Sequence, residues 1–499
     1  MKLLKKIAAI MLSIMMVLGM ASVVSADTTT SGKYEDNNGT ITINDAIKDH
    51  TYTIYRILKL ESFSKTDTTG NYAYTVENGW DAFVSDSTTG GKYLTKDSSG
   101  YVTWKTGVNE NDAANLAKEA LEYAKKTATI KPATNAIKAS GTSVTFSTLP
   151  LGYYLVDSSV GALCSLNTTN PTVTIKEKND IPTVEKKVYD GINYSTYNHA
   201  NIGDSVTFLI NVFVKKGAQN YKVYDKMSDG FKLIESSNPS MPTIHIDSYP
   251  DTVKIETTDY NVTVDPDKKG FQVEFTNTFL EKYKDQKYRI DIAYAATLTG
   301  DATIGNNGNT NKAWLTYGDN NKSNESETKT YTFEIPVFKY TGTEKTALAG
   351  AKFSLYSDAQ CTKIIELIKP GTGETYRRFI AGDENSKKVT EITTDNNGQF
   401  NITGLDLGTY YLKEIEAPKG YNKLNNAITV KIEKAVDGAK LITLSQDSKE
   451  VTKIEVENKS GSLLPSTGGM GTTVIYIAGA LLVLISGVVL ITKKRTDLK

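Results

Sequence analysis

The chain has 499 residues, with 57 lysines and arginines balancing 57 aspartates and glutamates. Zero formal charge leaves no basic surface for nucleic acid, so no nucleic-acid partner is expected. Two distant cysteines, Cys164 and Cys361, argue against a disulfide scaffold and read as buried small hydrophobes. The three histidines, His50, His199 and His245, lie at no metal-ligand spacing, so no metal and no cofactor is expected.

Lys2, Lys5 and Lys6 precede an apolar stretch from Ile7 to Val24, and Val24-Ser25-Ala26 offers small residues for cleavage. That order predicts a secretory signal peptide over 1–26. Alternation then dominates: 40–43, 51–55, 143–146 and 172–175 all read as half-buried strands. One helix stands out from Asn111 to Lys126, with Leu116, Ala117, Ala120, Leu121 and Ala124 on one face and Asn111 or Asp112 as the cap. The segment Lys65 to Thr106 reads as long loops. Short strands broken by turns such as Asn396-Asn397-Gly398 argue for sandwiches.

Proline-led strands at Ile181-Pro182 and Ile335-Pro336 follow polar stretches and predict new domains. A weak repeat relates Leu149–Asp157 to Leu405–Glu414. The expected partition is 27–180, 181–335, 336–460 and a tail over 461–499. In that tail, Leu464-Pro465-Ser466-Thr467-Gly468 precedes an apolar run from Val474 to Ile491, closed by Lys493, Lys494 and Arg495. The run is long enough to cross a bilayer as a helix, with the basic trio left on the cytoplasmic side.

The tail resembles the cell-wall sorting signal of Gram-positive surface proteins. The resemblance implies sortase cleavage between Thr467 and Gly468, with Thr467 passed as a thioester to an acceptor amine. Tyr410–Tyr421, with Lys413-Glu414 at its centre, resembles the E-box strand of Cna B-type domains, although Ile415 stands where that family usually has threonine. These domains are immunoglobulin-like sandwiches with an internal Lys–Asn isopeptide bond. The resemblance implies Lys339 in the first strand, Asn458 in the last and Glu414 as the catalytic acid. Burial lowers a lysine's pKa and favours a neutral acid. A neutral Lys339 amine is then expected to attack the Asn458 carboxamide while Glu414 polarises it and relays protons. An ordinary Lys339–Glu414 salt bridge is the alternative.

The middle segment resembles Cna A-like domains. Alternation turns Lys186 inward beside Val184 and Val188. The resemblance implies Lys186, Asp225 and Asn311 as amine, acid and acceptor, with Asn309 as rival acceptor; the alternative is a solvated turn at Asp225. The first domain has Asp157 where an E-box carries glutamate and no convincing buried lysine, so no bond is expected there.

The whole is similar to sortase-assembled backbone pilins, mainly β, in tandem immunoglobulin-like Cna-type sandwiches with one short helix in the first domain and a C-terminal transmembrane helix. Such pilins carry an acceptor lysine in a Tyr-Pro-Lys-Asn-like segment ending the first domain. Here Val173–Asp180 lacks the tyrosine and proline; Lys178 matches best and Lys176 is the runner-up, against the alternative of a plain charged linker. The resemblance implies a structural subunit at the Gram-positive cell surface, transiently membrane-anchored as a precursor. It is not an enzyme beyond its own single-turnover cross-linking. Sortase, identical subunits, minor pilins and peptidoglycan are the implied partners. The alternative is a wall-anchored adhesin or minor pilin binding a host receptor.

Overall fold

The computed structural model describes residues 30–32, 37–65, 70–159, 161–168, 172–177, 179–217, 219–236, 243–284, 286–435, 442–462, 464 and 470–496. The expected signal peptide lies outside them. The chain forms two compact units, Met1–Phe333 and Glu334–Lys499.

In the first unit, the long strand Thr51–Lys65 organises an eight-stranded sheet. Gly152–Ser158 lies on one side of it and Gly70–Val76 on the other. A three-stranded sheet faces this one, with Gly39–Asn44 between Thr172–Lys176 and Ser143–Leu149. Alternation decides the packing. Ile41, Ile43, Ile54, Val144, Phe146, Val156 and Ile175 close a core between the two sheets. The helix Glu110–Lys126 seals a second core, setting Leu116, Ala117, Ala120 and Leu121 against Trp80, Phe83 and Leu155. Its cap is Asn109, not Asn111 or Asp112. Asp112 N donates to Asn109 Oδ1 (3.3 Å), and Asp112 Oδ2 accepts from Asn109 N (2.9 Å), a reciprocal capping box.

Two further expectations are corrected here. Lys65 to Thr106 is not a set of loops: it holds the strands Gly70–Val76, Leu94–Lys96 and Tyr101–Trp104 and a short helix, Asp81–Ser85. Such pieces are too short to show a period, yet they bury Phe83, Val84, Leu94 and Val102. Cys361 is only partly buried and sits on a turn at φ 53°; a buried hydrophobe it is not, because the turn holds it by its backbone. The side chain of Cys164 lies outside the described residues. A further short helix, Asn277–Lys282, is capped by Thr276.

The remainder of the first unit is a sandwich. One sheet carries Thr183–Tyr189, Ser205–Val214 and Tyr288–Leu298 as neighbours. The other carries Ser326–Tyr331, Asn309–Tyr317, Lys222–Met227 and Gly270–Phe275. Side-chain contacts join this sandwich to the preceding sheets: Lys118 to Glu281 (3.1 Å), Lys125 to Asp319 (2.8 Å) and His50 Nε2 to the Tyr317 hydroxyl (3.1 Å).

The second unit is also a sandwich. Phe333–Thr341 runs antiparallel to Thr346–Ala347 and parallel to Ile454–Glu457, pairing Lys339 with Val456. The facing sheet holds Lys352–Tyr356, Gly408–Glu416, Ile428–Lys434 and Ile442–Gln446. Gly398, in the Asn396-Asn397-Gly398 turn, has φ 70°, and a Cβ there would lie 2.3 Å from the Lys339 carbonyl. Only glycine lets that turn close on the strand bearing Lys339. The helix Met470–Thr496 follows; its stretch Thr473–Arg495 is long and apolar enough to cross a membrane, with mean hydropathy 2.8. Two of its hydroxyls bond back into the helix: Ser486 donates to Leu482 O (2.7 Å) and Thr492 to Val488 O (2.8 Å).

Candidate functional site: two sealed lysine clusters

In the second unit the strands bring together Lys339, Glu414 and Asn458. Phe333–Thr341 alternates its burial, so Lys339 faces the sandwich interior with its side chain fully buried. Glu414 comes from the facing sheet, where Gly408–Glu416 alternates in the same way. Asn458 follows the last strand and is fixed by its own N–H on the Tyr340 carbonyl (3.0 Å). Lys339 Nζ lies 3.6 Å from Glu414 Oε1 and donates to Val456 O (3.2 Å). Asn458 Nδ2 donates to Glu414 Oε2 (3.0 Å) and to Asn422 O (2.9 Å). Leu424 N donates to the same Oε2 (2.7 Å).

One carboxyl group thus presents one oxygen to the amine and the other to the carboxamide nitrogen. Burial pulls Lys339 down to about 8, with Glu414 opposing part of that. Glu414 Oε1 and Asn458 Oδ1 are buried without a hydrogen-bond partner, an arrangement whose cost argues for a chemical role.

The middle sandwich builds a second cluster. Lys186 projects from the strand Thr183–Tyr189 of one sheet; Asp225 and Asn311 project from neighbouring strands of the other. All three are buried. Lys186 Nζ hydrogen-bonds Asp225 Oδ2 and the Tyr294 hydroxyl (2.6 Å). Burial lowers the Lys186 ammonium against the pull of Asp225, and burial raises the Asp225 carboxyl against the pull of Lys186. Asn309 is not brought to the amine. Its Oδ1 accepts from Thr303 N (2.8 Å) and its Nδ2 donates to Thr303 O (3.0 Å) and Thr330 O (3.2 Å), so it staples a loop to a strand.

Tyr294 was missed by sequence reasoning. It reads as one more inward aromatic of Tyr288–Leu298, whose burial alternates strictly. The available signal was its chemistry: a phenol in the middle of an apolar face needs a partner.

Asp157, the acid of the first-domain repeat, is buried and meets Lys125 (3.3 Å). Lys125 is 41% exposed and also binds Asp319. Burial raises Asp157 to about 6, with Lys125 opposing. Of the candidate acceptor lysines, Lys178 lies outside the described residues. Its neighbours Glu177 and Asn179 are buried, and Glu177 accepts from the Tyr52 hydroxyl (2.9 Å) and from Asn179 N (2.9 Å). Lys176 is exposed and paired with Asp45 (2.9 Å). In the sorting segment Leu464 is exposed, while Pro465, Thr467 and Gly468 lie outside the described residues. Among the described residues no cluster of His, Cys, Asp and Glu could hold a metal ion.

Residues 333–459 match the SpaA domain family, a prealbumin-like fold domain. The chain is 26% identical over 329 residues to the trypsin-resistant surface T6 protein of Streptococcus pyogenes serotype M6, covering 60% of this chain and 54% of that protein. It therefore spans about half the length of that relative. It is 24% identical over 384 residues to fimbrial subunit type 1 of Actinomyces viscosus, covering 66% of this chain and 69% of that one. Among solved structures, the three-domain T6 backbone pilin of Streptococcus pyogenes aligns with 88% of this chain and 100% of its own, at 17% identity and a TM-score of 0.50. The major pilin SpaA of Corynebacterium diphtheriae aligns with 85% and 100%, at 16% identity and a TM-score of 0.50. These structures share the fold of this chain.

Proposed function

We propose that this chain, similar over most of its length to Gram-positive pilins, is a structural backbone subunit of a covalent cell-surface pilus. Its units are a signal peptide over 1–26, sandwiches over 27–180, 181–335 and 336–460, and a sorting tail over 461–499. Sortase joins Thr467 of one subunit to a lysine of the next, Lys178 or in its place Lys176. The last subunit is joined to peptidoglycan, and the apolar helix Met470–Thr496 holds the precursor in the membrane until cleavage.

The observation that carries this reading is the sealed Lys339–Glu414–Asn458 cluster. A neutral Lys339 amine attacks Cγ of Asn458; the Nζ–Cγ bond forms and the Cγ–Nδ2 bond breaks. Glu414 receives the amine's surplus proton on Oε1 and returns one to the departing nitrogen from Oε2, so ammonia leaves and the acid is regenerated. Preorganisation in the folded core replaces an external enzyme. Lys186, Asp225 and Asn311 support a second such bond. Each link closes a loop of roughly 120 residues and, on the chain-entropy account that applies to disulfides, stabilises the fold by about 4–5 kcal/mol. Reductants do not break it, which suits a chain nearly free of cysteine.

Boiling cell-wall extracts in denaturant tests the polymer. A ladder of multimers is expected, and Lys178→Ala should collapse it to a single band. A ladder that survives in Lys178→Ala and vanishes in Lys176→Ala moves the acceptor. A single band from wild type refutes the backbone role.

A further inference from the structure

The two clusters differ in one methylene and one hydroxyl. Glu414 reaches both reacting groups by itself, with Oε1 at Lys339 and Oε2 at Asn458 Nδ2. Asp225 is shorter. Its Oδ2 binds Lys186 and Tyr294, its Oδ1 has no hydrogen-bond partner, and Asn311 Nδ2 instead donates to the Tyr294 hydroxyl (2.7 Å). The same hydroxyl accepts from Lys186 Nζ (2.6 Å) and donates to Asp225 Oδ2 (2.7 Å). Among the described residues it is the one atom hydrogen-bonded to nucleophile, acid and leaving nitrogen together.

We propose that Tyr294 is a catalytic residue of the middle sandwich, whose phenol carries the proton from Lys186 to the departing nitrogen of Asn311. The inference rests on the reading that Lys186 and Asn311 become linked. In the step, the Lys186 Nζ–Asn311 Cγ bond forms and the Cγ–Nδ2 bond breaks. Tyr294 gives its hydroxyl proton to Nδ2, which leaves as ammonia. It regains a proton from Nζ, directly or through Asp225, so phenol and carboxyl end as they began.

The surroundings favour a shuttle over a resting phenolate. Burial, then the neighbouring Asp225, holds Tyr294 well above the usual phenol range. The ring is also fixed in place: it stacks on Phe208 (centroids 5.4 Å) and meets Phe271 edge-on (4.8 Å). Those contacts survive loss of the hydroxyl, so Tyr294→Phe removes the relay and leaves the packing.

The test uses the full chain made by cell-free translation, quenched at intervals and mapped by peptide mass spectrometry. Wild type should yield two branched peptides, Lys186–Asn311 and Lys339–Asn458, each short of one ammonia. Tyr294→Phe should slow the first by about a hundredfold or more, the range of a lost acid–base group, and leave the second unchanged as an internal clock. Equal rates in wild type and Tyr294→Phe would overturn the relay. Absence of the Lys186–Asn311 peptide from wild type would overturn the underlying cross-link instead. Should Tyr294→Phe fail to fold, 3-fluorotyrosine at 294 decides: it keeps the shape and makes the phenol more acidic, so the rate of Lys186–Asn311 linking should change relative to the Lys339–Asn458 clock, and an unchanged ratio refutes the proposal.

Discussion

Leu149–Asp157 and Leu405–Glu414 build the same corner. Tyr154 donates its hydroxyl to Pro150 O (2.7 Å), Tyr410 does so to Asp406 O (2.8 Å), and each segment then delivers a buried acid. Around Glu414 the amine is Lys339, fully buried and held down to about 8, with a carboxamide alongside. Around Asp157 the amine is Lys125, partly open to water, raised by its acidic partners against its own burial, and flanked by Asp319 rather than an asparagine. A buried acid is therefore not enough. Cross-linking chemistry needs an amine that burial can discharge, and a leaving group beside it. The Asp157 cluster is instead an ionic clasp between two sheet systems.

The largest effect expected is on the Glu414 side. Asn458→Ala should remove one link, so that the intact mass falls short of the variant's sequence mass by one ammonia fewer than in wild type, and should cost about 4–5 kcal/mol in denaturant unfolding. A stability equal to wild type would mean that no link forms there. The same unlinked variant exposes the buried lysine's cost. Its folded pKa of about 8 lies below the ordinary 10.5, so the unfolded state binds more protons between those values. Stability should therefore rise with pH across that window, by up to about 3 kcal/mol. A flat profile would place the Lys339 amine in solvent.

At the clasp the sign reverses. Asp157 titrates near 6 when folded against 3.8 unfolded. The folded state binds the extra proton, so stability of the first unit should fall by about 2–3 kcal/mol as pH rises from 3.8 to 6. Asp157→Asn should flatten that slope in pH-dependent melting. Smallest is Asp319→Ala, which deletes a half-exposed ion pair and should cost no more than about 1 kcal/mol, shrinking with salt. A loss as large as that from Asn458→Ala would make the clasp more than ionic.

Much of this was legible in the sequence because strands write their inward face at every second residue. Alternation placed Lys186 inside, while Lys339 and Asn458 came from the resemblance of Tyr410–Tyr421 to the E-box strand of Cna B-type domains. Tyr294 was hidden because a tyrosine in an apolar alternation is indistinguishable from core until its hydroxyl's neighbours are known. The lobe between Lys65 and Thr106 was hidden by the shortness of its pieces, and the Asn109 cap by the polar Asn-Glu-Asn-Asp run that offers several candidates. Asn309 and Asn311 share a face by alternation, so only geometry separates the loop staple from the carboxamide that bonds Tyr294.

Lys339 and Asn458 sit at the entrance and exit of their sandwich, Lys339 on the first strand and Asn458 just past the parallel strand that neighbours it. Fused there, the intervening chain drops out of the path that force takes from one end of the unit to the other. An unlinked unit pulled until it gives way pays out roughly 400 Å of backbone, at about 3.4 Å per residue. A fused one pays out none. A fibre of such units is inextensible: single-molecule stretching should show no contour-length step from this sandwich, and a shear flow that tugs on it is answered by stiffness rather than by unravelling.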